Sequence, residues 1–281
     1  MPADDLPTTV HFGLDLTYAC NYECPYCKLP PVLKHKSVAE WTAAWKRMQE
    51  RYGQCYIYMS GGEPSIYPGF YDLVKAIAPM HVVDLCTNLS WDVEKLVPAL
   101  PPERFKISAT FHPTQVSFEE FLAKAVCVRD YLPQRFPPKR SVYFVAYPAQ
   151  MDRMEEYRRK LDENGLVLVP LPLMEGNAPA NTDEEKKTIA EASPNKNTSD
   201  RKLEFQLQEL RPAGRLCHAG QRYAMIRGDG QVDRCTRHDD RQLGDFFSEN
   251  FQLFEEPKLC LKEWCPFESQ WVVQTPAEAL R

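Results

Sequence analysis

The stretch His11-Phe-Gly-Leu-Asp-Leu-Thr17-Tyr-Ala-Cys20-Asn-Tyr-Glu-Cys24-Pro-Tyr-Cys27 decides how the chain is read. Its first half, taken with Val10, is an apolar run of strand length; its second half sets three cysteines within eight residues. A strand therefore runs directly into a cysteine loop. No Gly-x-Gly-x-x-Gly turn follows that strand, which disfavours a dinucleotide-binding fold. Five more β-like runs follow at Cys55–Ser60, Val82–Thr87, Phe105–Thr110, Ser141–Tyr147 and Leu166–Leu173, rich in Val, Ile, Phe and Tyr as buried parallel strands are.

Helical patterns separate these runs. Val38, Trp41, Trp45 and Met48 share one face behind a Ser37/Glu40 capping box, and a second box, Ser117/Glu120, opens a helix with Phe118, Phe121, Leu122 and Ala125 inward. Met154, Tyr157 and Leu161 mark a third helix that Gly165 closes. Six strand–helix alternations predict an α/β fold with a parallel sheet and right-handed crossovers, either an open doubly wound sheet or an incomplete barrel. In both, chemistry sits at the C-terminal ends of the strands. The predicted organisation is a strand–helix body at 1–174, a linker with short helices at 175–212, and a cysteine-bearing extension at 213–281 with a β-hairpin around Gly228–Gly230.

The 281 residues are 43% hydrophobic and 26% charged, enough for one large domain with an appendage. A net charge of −5 and a pI near 5.8 argue against a general grip on nucleic acid. No apolar run approaches the roughly 20 residues that cross a bilayer, and Met1-Pro-Ala-Asp-Asp-Leu has no secretory signature. The expected setting is cytoplasmic and reducing, and there ten cysteines point to metal rather than disulfides. Three crowd at Cys20, Cys24 and Cys27, four lie at Cys217, Cys235, Cys260 and Cys265, and Cys55, Cys86 and Cys127 read as buried small hydrophobes. An iron–sulfur cluster with one thiolate per iron leaves an open iron when only three cysteines serve it. The rival for the first group is a structural zinc that borrows His11 or His35, and for the second a four-cysteine zinc.

The spacing Cys20-x-x-x-Cys24-x-x-Cys27, with aromatic Tyr26 before the last cysteine, resembles the radical S-adenosylmethionine (radical SAM) superfamily. So does Ser60-Gly61-Gly62-Glu63-Pro64 at the end of the second strand. The resemblance implies a partial (β/α)6 TIM-like barrel and a SAM-binding [4Fe-4S] cluster on Cys20, Cys24 and Cys27. It assigns cofactor contacts to Tyr26, Gly61, Gly62, Glu63 and Pro64, to Asn88 on the third strand, to Ser108 on the fourth and to Leu171 on the sixth. A Gly-x-Ile-x-Gly-x-x-Glu pattern carried by many members after the fifth strand is replaced here by Val145–Gln150. The tail is similar to the twitch form of the SPASM extension, with a second, auxiliary [4Fe-4S] cluster on Cys217, Cys235, Cys260 and Cys265. A full SPASM extension uses about seven cysteines for two clusters.

The implied activity is reductive cleavage of S-adenosyl-L-methionine to a 5′-deoxyadenosyl radical, hydrogen abstraction and net oxidation, with flavodoxin or ferredoxin as reductase. Only 19 residues precede Cys20, which points to a small-molecule substrate such as a sugar, cyclitol or nucleoside. The alternatives are a peptide presented by a separate leader-binding protein and a non-catalytic metal-cluster scaffold. His112 is placed either to reach substrate or to serve in packing or capping, Glu175 to reach substrate, and Asp239 or Asp240 to act as a base.

Overall fold

The computed structural model describes residues 10–32, 34–101, 103–131, 141–173, 180–192, 212–236, 243–263 and 265. Glu175, Asp239, Asp240 and the 193–202 part of the expected linker lie outside these residues. The alternation read from the sequence is present as β1 (His11–Thr17), α1 (Val38–Tyr52), β2 (Tyr56–Gly61), α2 (Phe70–Ile77), β3 (Val82–Thr87), α3 (Val93–Leu96), β4 (Phe105–Phe111), α4 (Phe118–Tyr131), β5 (Ser141–Ala146), α5 (Met154–Glu163) and β6 (Val167–Pro172). Then come α6 (Asp183–Ala192), β7 (Leu216–Cys217), β8 (Tyr223–Ile226), β9 (Gln231–Asp233), β10 (Gly244–Asp245) and β11 (Lys258–Leu259).

Strands β1 to β6 run parallel and in sequence order, one beside the next. The sheet has nine strands, β10-β9-β8-β1-β2-β3-β4-β5-β6, with β10 and β6 at its two edges. This is a parallel sheet curled as a partial barrel. The tail hairpin of β8 and β9 is part of it, because β8 lies parallel to β1 with Phe12 opposite Ala224 and Leu14 opposite Ile226. At the other edge, β6 carries Pro170 and Pro172.

Alternation along the strands separates two faces. Phe12, Leu14, Ile57, Met59, Val83, Leu85, Phe105 and Ile107 point to the helices and are wholly buried. Helix α1 starts at the Ser37/Glu40 capping box, with both reciprocal bonds formed, and buries Trp41, Ala44, Trp45 and Met48. The tail completes this layer. Phe246 is wholly buried, 4.7 Å from Trp45 and 5.9 Å from Phe12 between ring centroids, and Arg47 donates to the Phe247 carbonyl at 2.9 Å. At the base of the layer, His81 bridges the Cys55 amide to the Trp45 carbonyl, so its neutral ring accepts at one nitrogen and donates from the other. Burial holds its pKa below the usual histidine value.

Trp45 gives the direct test of this packing, because its buried indole Nε1 has no hydrogen-bond partner. Trp45→Ala is expected to cost about 3–5 kcal/mol in urea unfolding. Trp45→Phe is expected to cost much less, since the ring is retained and an unpaired donor is removed. Equal losses in the two variants would refute this account of the core.

Candidate active site

The cysteine loop is held by backbone. A bulge between Asp15 and Thr17 turns β1 out of register just before the loop begins. The Thr17 carbonyl accepts the Gly62 amide at 2.7 Å, and the Ala19 carbonyl accepts the Glu63 amide at 2.9 Å. The approach is so close that a Cβ on Gly61 would stand 2.2 Å from the Thr17 oxygen, and one on Gly62 would stand 2.1 Å from the Ala19 oxygen. Gly61 also sits at φ 122, where a side chain is strained. The resemblance gives these glycines to cofactor contacts; in the structure a side chain on either would meet the carbonyls of Thr17 and Ala19.

Glu63 follows, 1% exposed, with both carboxylate oxygens engaged. Oε1 accepts from Thr87 Oγ1 at 2.8 Å and from the Ser65 amide at 3.1 Å, while Oε2 accepts from the Asn88 amide at 2.8 Å. Burial raises its pKa, and these bonds pull the other way. Buried Pro64 opens a short 3-10 turn, Pro64–Ile66, behind it. The Thr87 hydroxyl also accepts from Trp91 Nε1 and from the Leu89 amide. Asn88 Nδ2 reaches Asn21 Oδ1 at 3.1 Å, so the end of β3 touches the cysteine loop. Leu89, at φ 59, is the one non-glycine residue with positive φ among the described residues. Such backbone strain recurs at functional rims, and sequence patterning gave no sign of it.

Cys20 and Cys24 are half-buried and Cys27 is exposed. Burial raises all three thiol pKa values, and Cys27 also feels the charge of Cys24 and Cys20. Gln115, on the β4–α4 connection, clasps the loop by accepting the Glu23 amide at 2.9 Å and donating to the Glu23 carbonyl at 3.1 Å. Tyr26 lies under the loop, 6% exposed, with its ring nearly parallel to that of His112 at an interplanar angle of 15°. His112 Nδ1 is 3.0 Å from the Tyr26 hydroxyl and 3.7 Å from Cys24 Sγ. Burial pushes the His112 pKa down to about 4, which keeps the ring neutral.

The zinc alternative had named His11 and His35. His11 sits at the far end of β1, stacked on Tyr56 at 4.8 Å, and burial lowers its pKa to about 4. His35 Nε2 is bonded to Thr17 Oγ1 at 2.8 Å. Among the described residues, no group of three or more His, Cys, Asp or Glu side chains stands in an arrangement that would hold a metal ion.

Below the loop, the inner face of the sheet is polar. Ser108 donates to Asp84 Oδ1 at 2.8 Å, and the Tyr56 hydroxyl donates to Asp84 Oδ2, forming a rung across β2, β3 and β4. A second rung joins Tyr58, Cys86 and Thr110. Tyr58 is 40% exposed although its strand is central, so it faces open space inside the curl. Cys86 is half-buried on this same face, not in the apolar layer expected for it. Leu171 shares the half-buried face of β6 with Val167 and Val169.

The tail gathers its own cysteines. Strands β7 and β11 pair antiparallel with Cys217 opposite Lys258. Cys217, Ala219, Tyr223 and Cys260 form a small buried cluster against which Cys235 packs. Cys265 lies within electrostatic reach of Cys217, whose pKa burial raises to about 12. The unforeseen residue is Arg234. It is 3% exposed, and its guanidinium donates to the carbonyls of Ala219, Leu259 and Lys258 at 2.8, 2.8 and 2.6 Å. A buried arginine bonded to four carbonyls, that of Cys217 at 3.4 Å included, has no signature in sequence.

The chain matches no protein-family model. A PqqA peptide cyclase of Methylorubrum populi is 35% identical over 91 residues, which is 31% of this chain and 23% of that protein. Streptococcus suis SuiB bound to the precursor peptide SuiA has a similar fold at a TM-score of 0.59 and 13% identity, over 81% of this chain and 59% of SuiB. The enzyme anSMEcpe with bound AdoMet and the Cp18Cys peptide is similar at a TM-score of 0.60 and 15% identity, over 85% of this chain and 78% of that one. The chain therefore matches less than a quarter of the length of the peptide cyclase.

Glu63→Gln tests the inward-turned carboxylate. An amide NH2 must face either the Asn88 N–H or the donors on Oε1, so a loss of about 1–3 kcal/mol is expected in urea unfolding. A loss below about 0.5 kcal/mol, the range of a neutral surface change, would refute the bonding described.

Proposed function

We propose that the chain is a radical SAM superfamily enzyme acting on a peptide, with Cys20, Cys24 and Cys27 as ligands of a SAM-binding [4Fe-4S] cluster. The observation that carries the reading is the clamp of Thr17 and Ala19 on Gly62 and Glu63. It fixes a three-thiol loop beside the Gly-Gly-Glu-Pro turn at the C-terminal ends of β1 and β2. Three thiols fit a cluster with one open iron, and the half-exposed loop leaves that position reachable. When bound, the cluster and S-adenosylmethionine supply one-electron cleavage of a sulfonium and the 5′-deoxyadenosyl radical.

The protein's own part is placement. Gly61 and Gly62 lock the loop, Glu63 ties it through Thr87 and Asn88 to β3, and Gln115 ties it to β4. Gly61–Pro64, Asn88 and Leu171 are the residues we assign around S-adenosylmethionine. Ser108 is engaged with Asp84 and belongs to the polar floor. Substrate entering the curl would meet Tyr58 and Cys86 there.

Two considerations favour a peptide over the small molecule expected earlier. The segment match is to a protein named for a peptide, and two fold neighbours hold peptides in their structures. The small-molecule expectation rested on the length of chain before Cys20, and that length does not report on what the curl admits. Cys217, Cys235, Cys260 and Cys265 would hold the auxiliary [4Fe-4S] cluster with no open position, an arrangement suited to electron transfer rather than substrate ligation. Flavodoxin or ferredoxin is the class of reductase that fits.

After anaerobic reconstitution, about eight irons per chain are expected, and about four after replacement of the tail cysteines. Under reduction the protein should release methionine and 5′-deoxyadenosine, and Cys24→Ala should abolish that release. With a library of short peptides, 5′-deoxyadenosine should rise and the modified peptide should lose a hydrogen pair by mass. Release of 5′-deoxyadenosine stimulated by sugars or nucleosides, and by no peptide, would overturn the peptide reading.

A further inference from the structure

We infer that Tyr26 and His112 form a hydrogen-bond relay onto Cys24 that raises the reduction potential of the cluster which Cys24 serves. The inference rests on the cluster assignment proposed above and assigns a new job to two side chains. Three observations carry it. The Tyr26 hydroxyl lies 3.0 Å from His112 Nδ1, and Cys24 Sγ lies 3.7 Å from the same nitrogen. The Tyr26 and Thr114 side chains both stand within hydrogen-bonding reach of Cys24, and Thr114 also reaches Tyr26. Tyr26 is buried, with its ring stacked on that of His112 and 5.5 Å from that of Tyr147, while Cys24 and His112 are half-buried.

The direction of the relay follows from what each atom can do. A ligating thiolate only accepts, so the Tyr26 O–H donates to Cys24, beside the Thr114 hydroxyl. A tyrosine that gives its only proton to sulfur has an oxygen left to accept, and His112 Nδ1–H is in position to fill it. The His112–sulfur separation of 3.7 Å is long for a strong direct bond, whereas 3.0 Å to the hydroxyl is ordinary. His112 is therefore a positioning residue that acts through Tyr26.

No matching contact to Cys20 or Cys27 occurs among the described residues. Cys20 accepts from the Tyr22 amide at 3.4 Å, and Cys27 is exposed. The relay thus singles out one ligand of the three. Hydrogen bonds to cluster sulfurs favour the reduced, more negative state, most strongly where water is excluded.

The test is a redox titration of the reconstituted full chain, following the reduced cluster whose electron paramagnetic resonance signal responds to S-adenosylmethionine. Tyr26→Phe should shift the reduction equilibrium about tenfold toward the oxidised form, equivalent to about 59 mV more negative for one electron. His112→Phe should shift it the same way by less. His112→Gln, which keeps an N–H donor, should restore most of the loss. The double variant Tyr26→Phe/His112→Phe should lie no lower than Tyr26→Phe alone, because the direct contact of His112 with sulfur, at 3.7 Å, is long and weak.

Additive shifts in the double variant would overturn the relay in favour of a direct histidine–sulfur bond. Unchanged potentials in cluster-loaded single variants would overturn it outright. A wild-type protein that assembles no cluster with these cysteines would overturn the cluster assignment, and the relay with it.

Discussion

Two backbone hydrogen bonds and two missing side chains hold the site together. Thr17 and Ala19 present carbonyls to the amides of Gly62 and Glu63, and the strands approach so closely that no Cβ fits between them. Everything at the mouth is referred to that contact. The cysteine loop starts from it, the inward turn of Glu63 follows from it, and through Glu63 the end of β3 is drawn up against Asn21. Side chains in this region adapt to a backbone distance that is already fixed. The arrangement suits a centre whose ligands must stand in a set geometry before anything binds.

The tail follows a different principle. The buried cluster around its cysteines is small, and Arg234 organises it by gathering carbonyls from separate segments. Its attachment to the body is nonetheless strong. Strand β8 extends the sheet beside β1, and Phe246 enters the aromatic layer between α1 and β1. The strand that feeds the first cysteine loop is thus also the strand on which the second cysteine group is built. A change in the packing of β1 reaches both.

Most of the body was legible because its signals are local. Alternating apolar runs placed six strands to within a residue or two, and the Ser37/Glu40 box announced α1. The short helix α2 carried no capping signal and was not read. Cys86 reads as a buried small hydrophobe because it lies in the apolar run Val82–Thr87, yet a strand puts adjacent residues on opposite faces and Cys86 is half-buried. What could not be read was non-local: the pairing of β8 with β1, the hub at Arg234, the strain at Leu89, and the meeting of Tyr26 with His112 across 86 positions. In each case one residue's role depends on a partner that chain spacing does not fix. The triad itself was visible because its members lie within one turn of loop.

Among the described residues β6 is the last strand at this edge of the partial barrel, and Pro170 and Pro172 stand on it. Proline has no amide hydrogen to offer an incoming strand, so the edge presents an interrupted row of donors. Open sheets that curl this far are exposed to recruitment by a stray strand, whether from another molecule or from a partly folded copy of the same one. By spoiling the edge, the two prolines keep the gap in the wall from being sealed. The edge is thereby a poor template for aggregation.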